Sequence, residues 1–201
     1  MANPEITKSE RTKFYIIEKA APIFNKKGYT GTSISDIMRI TGLSKGCIYG
    51  NFKNKNEIAV AALDYNMKKI LNSIYDTVMQ HEKSLDRLRE LLRCHKELYY
   101  NDTLKTGCPI LNAAIDVDDT NQFVFKKVKY GVDKWRKFLC KIVAEGKRKG
   151  EINGSIDPDE FATNVIALIE GGSMLFSVYK DFEYIERVFS QLERIITNEL
   201  V

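Results

Sequence analysis

Ten consecutive residues, Ser44 to Lys53 ("SKGCIYGNFK"), gather a hydroxyl, two ammonium groups, a thiol, a phenol and a carboxamide. Such a set is rich in hydrogen-bond donors and positive charge, and it suits phosphate oxygens and the edges of bases. Gly46 brings no side chain to the same stretch, so the backbone there can approach a partner closely. Other kinds of chemistry find little support. No GxSxG, P-loop or HExxH motif occurs. The histidines, His81 and His95, lack the glutamate three residues earlier that a carboxylate-bridged metal site in a helical bundle requires. Cys47, Cys94, Cys108 and Cys140 are widely spaced without a CxxC pair, which fits free thiols better than disulfides or zinc. Asp116, Asp118 and Asp119 stand in "DVDDTN" without an EF-hand's glycine and terminal glutamate, so they read as a helix end and a cap, not a cation site.

The elements around the donor-rich stretch explain how it would be held. Ser33 is placed to cap one short helix, with Asp36 at its third position, and Ser44 to cap the next. Gly42 permits the turn between them, and Ile34, Ile37, Leu43 and Ile48 supply a small apolar core. Two short helices joined by a tight turn make a helix-turn-helix, here about Thr32 to Phe52. Its first helix braces against a duplex while the start of the second enters the major groove. A helical corner with a solvated basic rim has the same spacing. Charge favours the former reading: residues 1–55 carry ten Lys+Arg against four Asp+Glu, a net +6, and the remaining residues, with 21 against 23, carry −2.

Apolar residues recur at helical spacing along the whole chain, and strand-like alternation is absent. The first helix is expected from about Ser9 to Lys27, with Phe14, Ile17, Ala20, Ala21 and Phe24 on one face, a bend at Pro22 and Gly28 as the C-terminal cap. After the two short helices, a long one is expected over about 55–78. Others follow at about 84–101, 109–116, 121–149, 157–179 and 182–199. No apolar run approaches the roughly 18 residues of a membrane span, and "MANPEITKSE" is no signal peptide, so a cytoplasmic location is expected.

At residues 20–58, "AAPIFNKKGYTGTSISDIMRITGLSKGCIYGNFKNKNEI", the chain resembles the TetR family of bacterial transcriptional regulators. "GCPILNAAIDVDD" and "ALIEGGSMLF" are similar, more loosely, to C-terminal segments of some members. The resemblance implies an all-α protein of about nine helices in two parts. These would be an N-terminal DNA-binding domain, residues 1–54 with the start of the fourth helix to about 68, and a C-terminal ligand-binding and dimerisation domain, residues 55–201. It implies a repressor of double-stranded DNA, with no catalytic activity, cofactor or metal. By position, Ser33 would bond a phosphate, Ser44 would cap, and Lys45, Gly46 and Cys47 would face bases. Tyr49 and Asn51 would meet base edges or backbone, and Lys53 would clamp a phosphate. Members often carry threonine where this chain has Cys47, which replaces a hydroxyl by a weak thiol donor.

One reading helix is small for a repressor, so a homodimer on a palindromic operator is expected, its two helices about 34–36 Å or a multiple apart. The pairing surface is expected on Gly171 and Gly172 and on the last helix, through Ile185, Val188, Phe189, Leu192, Ile195 and Ile196; packing within one subunit is the alternative. A small-molecule effector would bind among the fifth to eighth helices and release the DNA. The candidate lining residues are His95, Tyr99, Cys108, Asn112, Phe123, Trp135, Phe138, Glu170 and Met174. Of these Glu170 stands out, because a carboxylate in an apolar helix needs a partner. An enzyme on a helical bundle, or a protein-binding adaptor, are the competing readings from other classes.

Overall fold

A computed structural model describes residues 7–117 and 121–201, and every regular element among them is an α-helix. In chain order these are α1 (Lys8–Gly31), α2 (Ile34–Thr41), α3 (Lys45–Asn51), α4 (Lys55–Val78), α5 (Ser84–Tyr100), α6 (Pro109–Val117), α7 (Gln122–Lys149), α8 (Pro158–Tyr179) and α9 (Glu183–Asn198). The all-α class and the helix order expected from periodicity are both present.

The described residues divide into two compact units, one drawn from Met1–Lys68 and Pro109–Lys129, the other from Lys69–Cys108 and Tyr130–Val201. This differs from a single cut after residue 54. The first turns of α4 belong to the first unit, and so do α6 and the start of α7. Val117, Val124 and Val128 are buried with Ile16, Ala20, Phe24, Ile58 and Leu63 in one apolar cluster. Asp116 secures the arrangement by accepting from the backbone N–H groups of Tyr29 and Thr30.

In the first unit, α1 begins at a capping box: Thr7 accepts from the Glu10 N–H, and Glu10 accepts from the Thr7 N–H at 2.8 Å. Its inner face is Ile16, Ala20, Ala21 and Phe24 with Ile17 packed against it, as expected save that Phe14 is 56 % exposed and Ile16 takes its place. Pro22 stays in helical register. The break falls at Gly28, with φ 75° and ψ 171°, and the helix resumes for a last turn. A Cβ at Gly28 would sit 2.7 Å from the Asp116 carboxyl, so glycine is needed both for the dihedral and for that approach.

The second unit has its own core. α5 contributes Leu88, Leu91, Leu98 and Tyr99, α7 Trp135, Leu139 and Ile142, α8 Val165, Ile169 and Phe176, and α9 Ile185, Phe189, Leu192 and Ile196. The α9 residues fall at spacings of four, three and four, the inner stripe of an amphipathic helix. Asp157 caps α8 by accepting from the Asp159 and Glu160 N–H groups, with Pro158 at the first helical position. The Asn153 N–H donates to the Leu200 carbonyl at 2.8 Å, which ties down the end of α9. α8 is long and apolar enough to cross a membrane by length and composition, but it buries Phe161, Val165, Ile169 and Phe176 in this core.

Candidate nucleic-acid interface

Local chemistry fixes the angle between α2 and α3. Ser33 and Asp36 form a complete capping box at the start of α2. Gly42 ends that helix in the left-handed conformation, φ 70°, and its N–H donates to Met38 O at 2.8 Å. Ser44 then restarts the chain as a helix by accepting from the Cys47 N–H at 3.2 Å. Ile37 and Ile48 are fully buried between the helices and α1, and the Tyr15 phenol donates to Thr41 O at 3.1 Å, pinning the end of α2. Lys27 and Arg39 both reach the Asp36 carboxylate at 2.9 Å. Those contacts, with the Ser33 N–H and hydroxyl, hold the Asp36 carboxyl well below the usual carboxylate range.

Lys55 is a part of this framework that sequence reasoning missed. Its ammonium donates to Tyr29 O at 2.9 Å and Thr32 O at 3.1 Å and sits 4.2 Å from the Tyr29 ring centroid. It joins the start of α4 to the turn that leads into α2, and only its closeness to the "KNK" run could have hinted at it.

The outer face of α3 is the candidate reading surface. Lys45, Gly46, Tyr49 and Gly50 are exposed, at spacings that place them on one side of the helix, and the exposed Lys53 follows just beyond its end. A Cβ built on Gly46 would come no nearer than 4.0 Å to the Ser44 hydroxyl, and one on Gly50 would meet nothing. The glycines thus leave a bare strip of backbone beside Lys45 and Tyr49, and Gly50 was not singled out from sequence. Cys47 is half-buried. Asn51 is engaged within the protein: its amide donates to Cys47 O at 2.9 Å and its carbonyl accepts from the Ser9 hydroxyl. Ser33 departs from its expected role, because its hydroxyl donates to Asp36 at 2.8 Å and its backbone N–H does the same at 3.0 Å. Contact with a phosphate would require opening the capping box. Ser44, by contrast, uses its hydroxyl as an acceptor and is exposed.

The effector candidates separate. Tyr99, Cys108 and Glu170 come together in the second unit. His95 is buried beside them, its ring stacked 5.3 Å from Trp135 and 6.3 Å from Tyr99, and desolvation lowers its pKa to about 4, so the ring is neutral at pH 7. Phe138 packs against Tyr75 at 5.5 Å. The remaining three lie elsewhere. Asn112 donates to the Asn25 carbonyl oxygens in the first unit, Phe123 is 69 % exposed beside Lys53 and Glu57, and Met174 is 51 % exposed on α8. Among the described residues no group of histidine, cysteine, aspartate or glutamate gathers as metal ligands; Asp118 and Asp119 fall outside those residues.

The residues of the expected pairing face pack largely within the chain. Ile185, Phe189, Leu192 and Ile196 are buried inside their own unit, and Val188 and Ile195 lean on the same core. A Cβ on Gly172 would meet Val188 at 3.0 Å, so this glycine brings α8 onto α9 within the chain. Gly171 faces open space, and Met174, Val178 and Tyr179 continue an exposed apolar stripe along α8.

Comparison with known proteins agrees with this architecture. Residues 16–62 match the profile of bacterial regulatory proteins of the tetR family, and residues 84–192 that of a tetracyclin repressor-like C-terminal domain. The crystal structure of a TetR-family transcriptional regulator from Cytophaga hutchinsonii is 35% identical, with TM-score 0.89 over 98% of each chain. One from Chloroflexus aurantiacus is also 35% identical, with TM-score 0.90 over 96% of this chain and 98% of its own. Among curated relatives, the HTH-type transcriptional repressor DhaR of a Mycobacterium strain is 23% identical over 86% of each chain. The capped turn, the open face of α3 and the match along both parts of the chain make this protein a member of the TetR family of helix-turn-helix transcriptional regulators.

Proposed function

We propose that this regulator is a repressor that binds a palindromic operator as a homodimer, in the cytoplasm, and lets go when a small molecule occupies its C-terminal unit. The observation that carries the reading is the outer face of α3, where Lys45, Tyr49 and Lys53 flank a strip made bare by Gly46 and Gly50. Lys53, Tyr49 and the Ser44 hydroxyl are assigned to phosphates, and Lys45 and Cys47 to base edges. Asn51 holds α3 in shape, and Lys55, Lys27 and Arg39 hold α2. A repressor among the relatives supports the direction of control. Pairing is assigned to the exposed side of α8, Gly171, Met174 and Val178, with Val188 and Ile195 at its margin, since the buried stripe of α9 is already occupied.

Fluorescence anisotropy on duplexes selected from random sequence tests the proposal. The wild type should show a preferred, two-fold symmetric sequence and salt-sensitive affinity. Lys53→Ala should weaken all duplexes alike and reduce the log–log salt slope by about 1, whereas Lys45→Ala should change which bases are preferred. Failure to enrich any sequence would overturn the proposal.

A further inference from the structure

The core of the second unit contains a knot of buried polar atoms that the protein itself leaves short of hydrogen-bond partners. Tyr99 is 1 % and Ser173 0 % exposed; their hydroxyls face one another, and neither reaches a well-formed hydrogen bond. Both carboxyl oxygens of Glu170, one turn before Ser173 on α8, are buried without a well-formed hydrogen bond, the weak Cys108 thiol being their polar neighbour. The Cys108 thiol is the polar neighbour that favours the charged carboxylate, and burial outweighs it, raising the Glu170 pKa. No lysine, arginine or histidine among the described residues offsets this charge. Protonation alone does not resolve the problem, because a carboxylic acid still needs an acceptor for its proton and a donor for its other oxygen.

Buried polar groups in folded proteins are almost always paired, and orphans of this kind call for an explanation. Here several converge: a carboxyl, a phenol and an aliphatic hydroxyl, with apolar aromatic surface alongside. Phe176 meets Tyr99 edge to ring at 5.5 Å, and the neutral His95 is stacked on Trp135. A group with several N–H donors and a positive charge would satisfy the carboxyl and both hydroxyls together and would be favoured by the ring faces. An anion would be repelled, and a purely apolar molecule would leave the orphans as they are.

We propose that the effector is a lipophilic amine, its ammonium bound by Glu170 and hydrogen-bonded to Tyr99 and Ser173, its carbon skeleton against Phe176 and Trp135. This rests on the reading of the chain as an effector-controlled regulator and supplies the chemical class of the effector.

The test uses the full-length protein and primary amines, alkyl from butylamine to decylamine together with benzylamine and 2-phenylethylamine. Each is compared with the alcohol and the carboxylate of the same skeleton by isothermal titration calorimetry. Amines of suitable length are expected to bind, with the alcohols at least tenfold weaker and the carboxylates not binding. Glu170→Gln should lose at least tenfold in amine affinity while still binding the selected operator, and Tyr99→Phe, which keeps the ring, should lose less. No amine binding at millimolar concentration overturns the proposal, as does equal binding of amine and alcohol, or undiminished amine binding by Glu170→Gln. A high-resolution structure with a single buried water satisfying all three side chains, and no amine affinity, overturns it as well. Release of operator DNA by the bound amine is measured separately. Amine binding that depends on Glu170 but leaves DNA affinity unchanged would keep the site and refute its role in regulation.

Discussion

Replacing Gly46 and Gly50 by alanine should strengthen the protein and weaken its grip on DNA, two effects of opposite sign from one change. Glycine inside a helix costs about 0.5–1 kcal/mol relative to alanine. Neither position has a positive φ, and the added methyl groups meet nothing closer than the Ser44 hydroxyl at 4.0 Å. The double variant should therefore gain about 1–2 kcal/mol of stability, less if the short helix frays. At about 2–4 °C per kcal/mol for a protein of this size, the melting temperature should rise by roughly 2–8 °C. On DNA the same methyl groups occupy the strip through which α3 approaches the bases. Overfilling a close contact costs about 1–3 kcal/mol. Per reading helix that is roughly a 5- to 150-fold loss of affinity. Differential scanning calorimetry and anisotropy titration at one fixed salt concentration measure both effects. A stabilised variant with full affinity would show that this face is not pressed against the duplex. A destabilised variant would show that the fold, and not the DNA, requires the glycines.

Four further perturbations test other parts of the structure. Asp116→Ala removes the acceptor of two backbone N–H groups and should destabilise the first unit by about 1–3 kcal/mol in urea titrations; an unchanged midpoint would make the contact incidental. Met174→Asp places a charge on the exposed stripe of α8 and should yield a folded monomer by light scattering, with operator affinity lower by roughly 100-fold or more. Phe189→Ala should instead cost about 3–5 kcal/mol of stability through a core cavity; a monomer of full stability from that variant would move the interface back to α9. Burial lowers the His95 pKa to about 4 in the folded protein, against about 6.5 unfolded, so the unfolded chain binds more protons between those values. The stability associated with this ring is fully present above pH 6.5 and is lost as pH falls toward 4, by about 3 kcal/mol in total. His95→Phe should flatten stability over that interval, and an unchanged pH profile would count against the assignment.

Much of the fold was legible because its signals are local. Ser33 and Ser44 mark helix starts through chemistry confined to one turn, and Gly42 marks a turn through its own dihedral. Features set by contacts distant in sequence were hidden. Asp116 is 87 residues from the Tyr29 N–H that it accepts from, and no periodicity reveals that α6 joins the first unit. On α1 only Phe14 was misassigned, because Phe14 and Ile16 lie on different faces of the same apolar segment and only packing decides which turns inward. For α9 the apolar face was evident, but amphipathicity is the same whether a stripe is buried within a subunit or between two. In α3, the residue types pointed to an open, basic face, and Lys45, Gly46 and Tyr49 are exposed. Hydrogen bonds, invisible in the sequence, then withdrew Ser33 and Asn51 from the free donors.

Hydroxyl-radical footprinting of the wild-type protein on its selected operator is the most direct test of the central claim, that two copies of α3 read one face of a duplex. The account predicts two protected patches on the same side of the DNA, related by two-fold symmetry and separated by about 34–36 Å or a multiple of it, both weakened in Lys53→Ala. A single patch, protection around the whole circumference, or a pattern untouched by changes in α3 would contradict it.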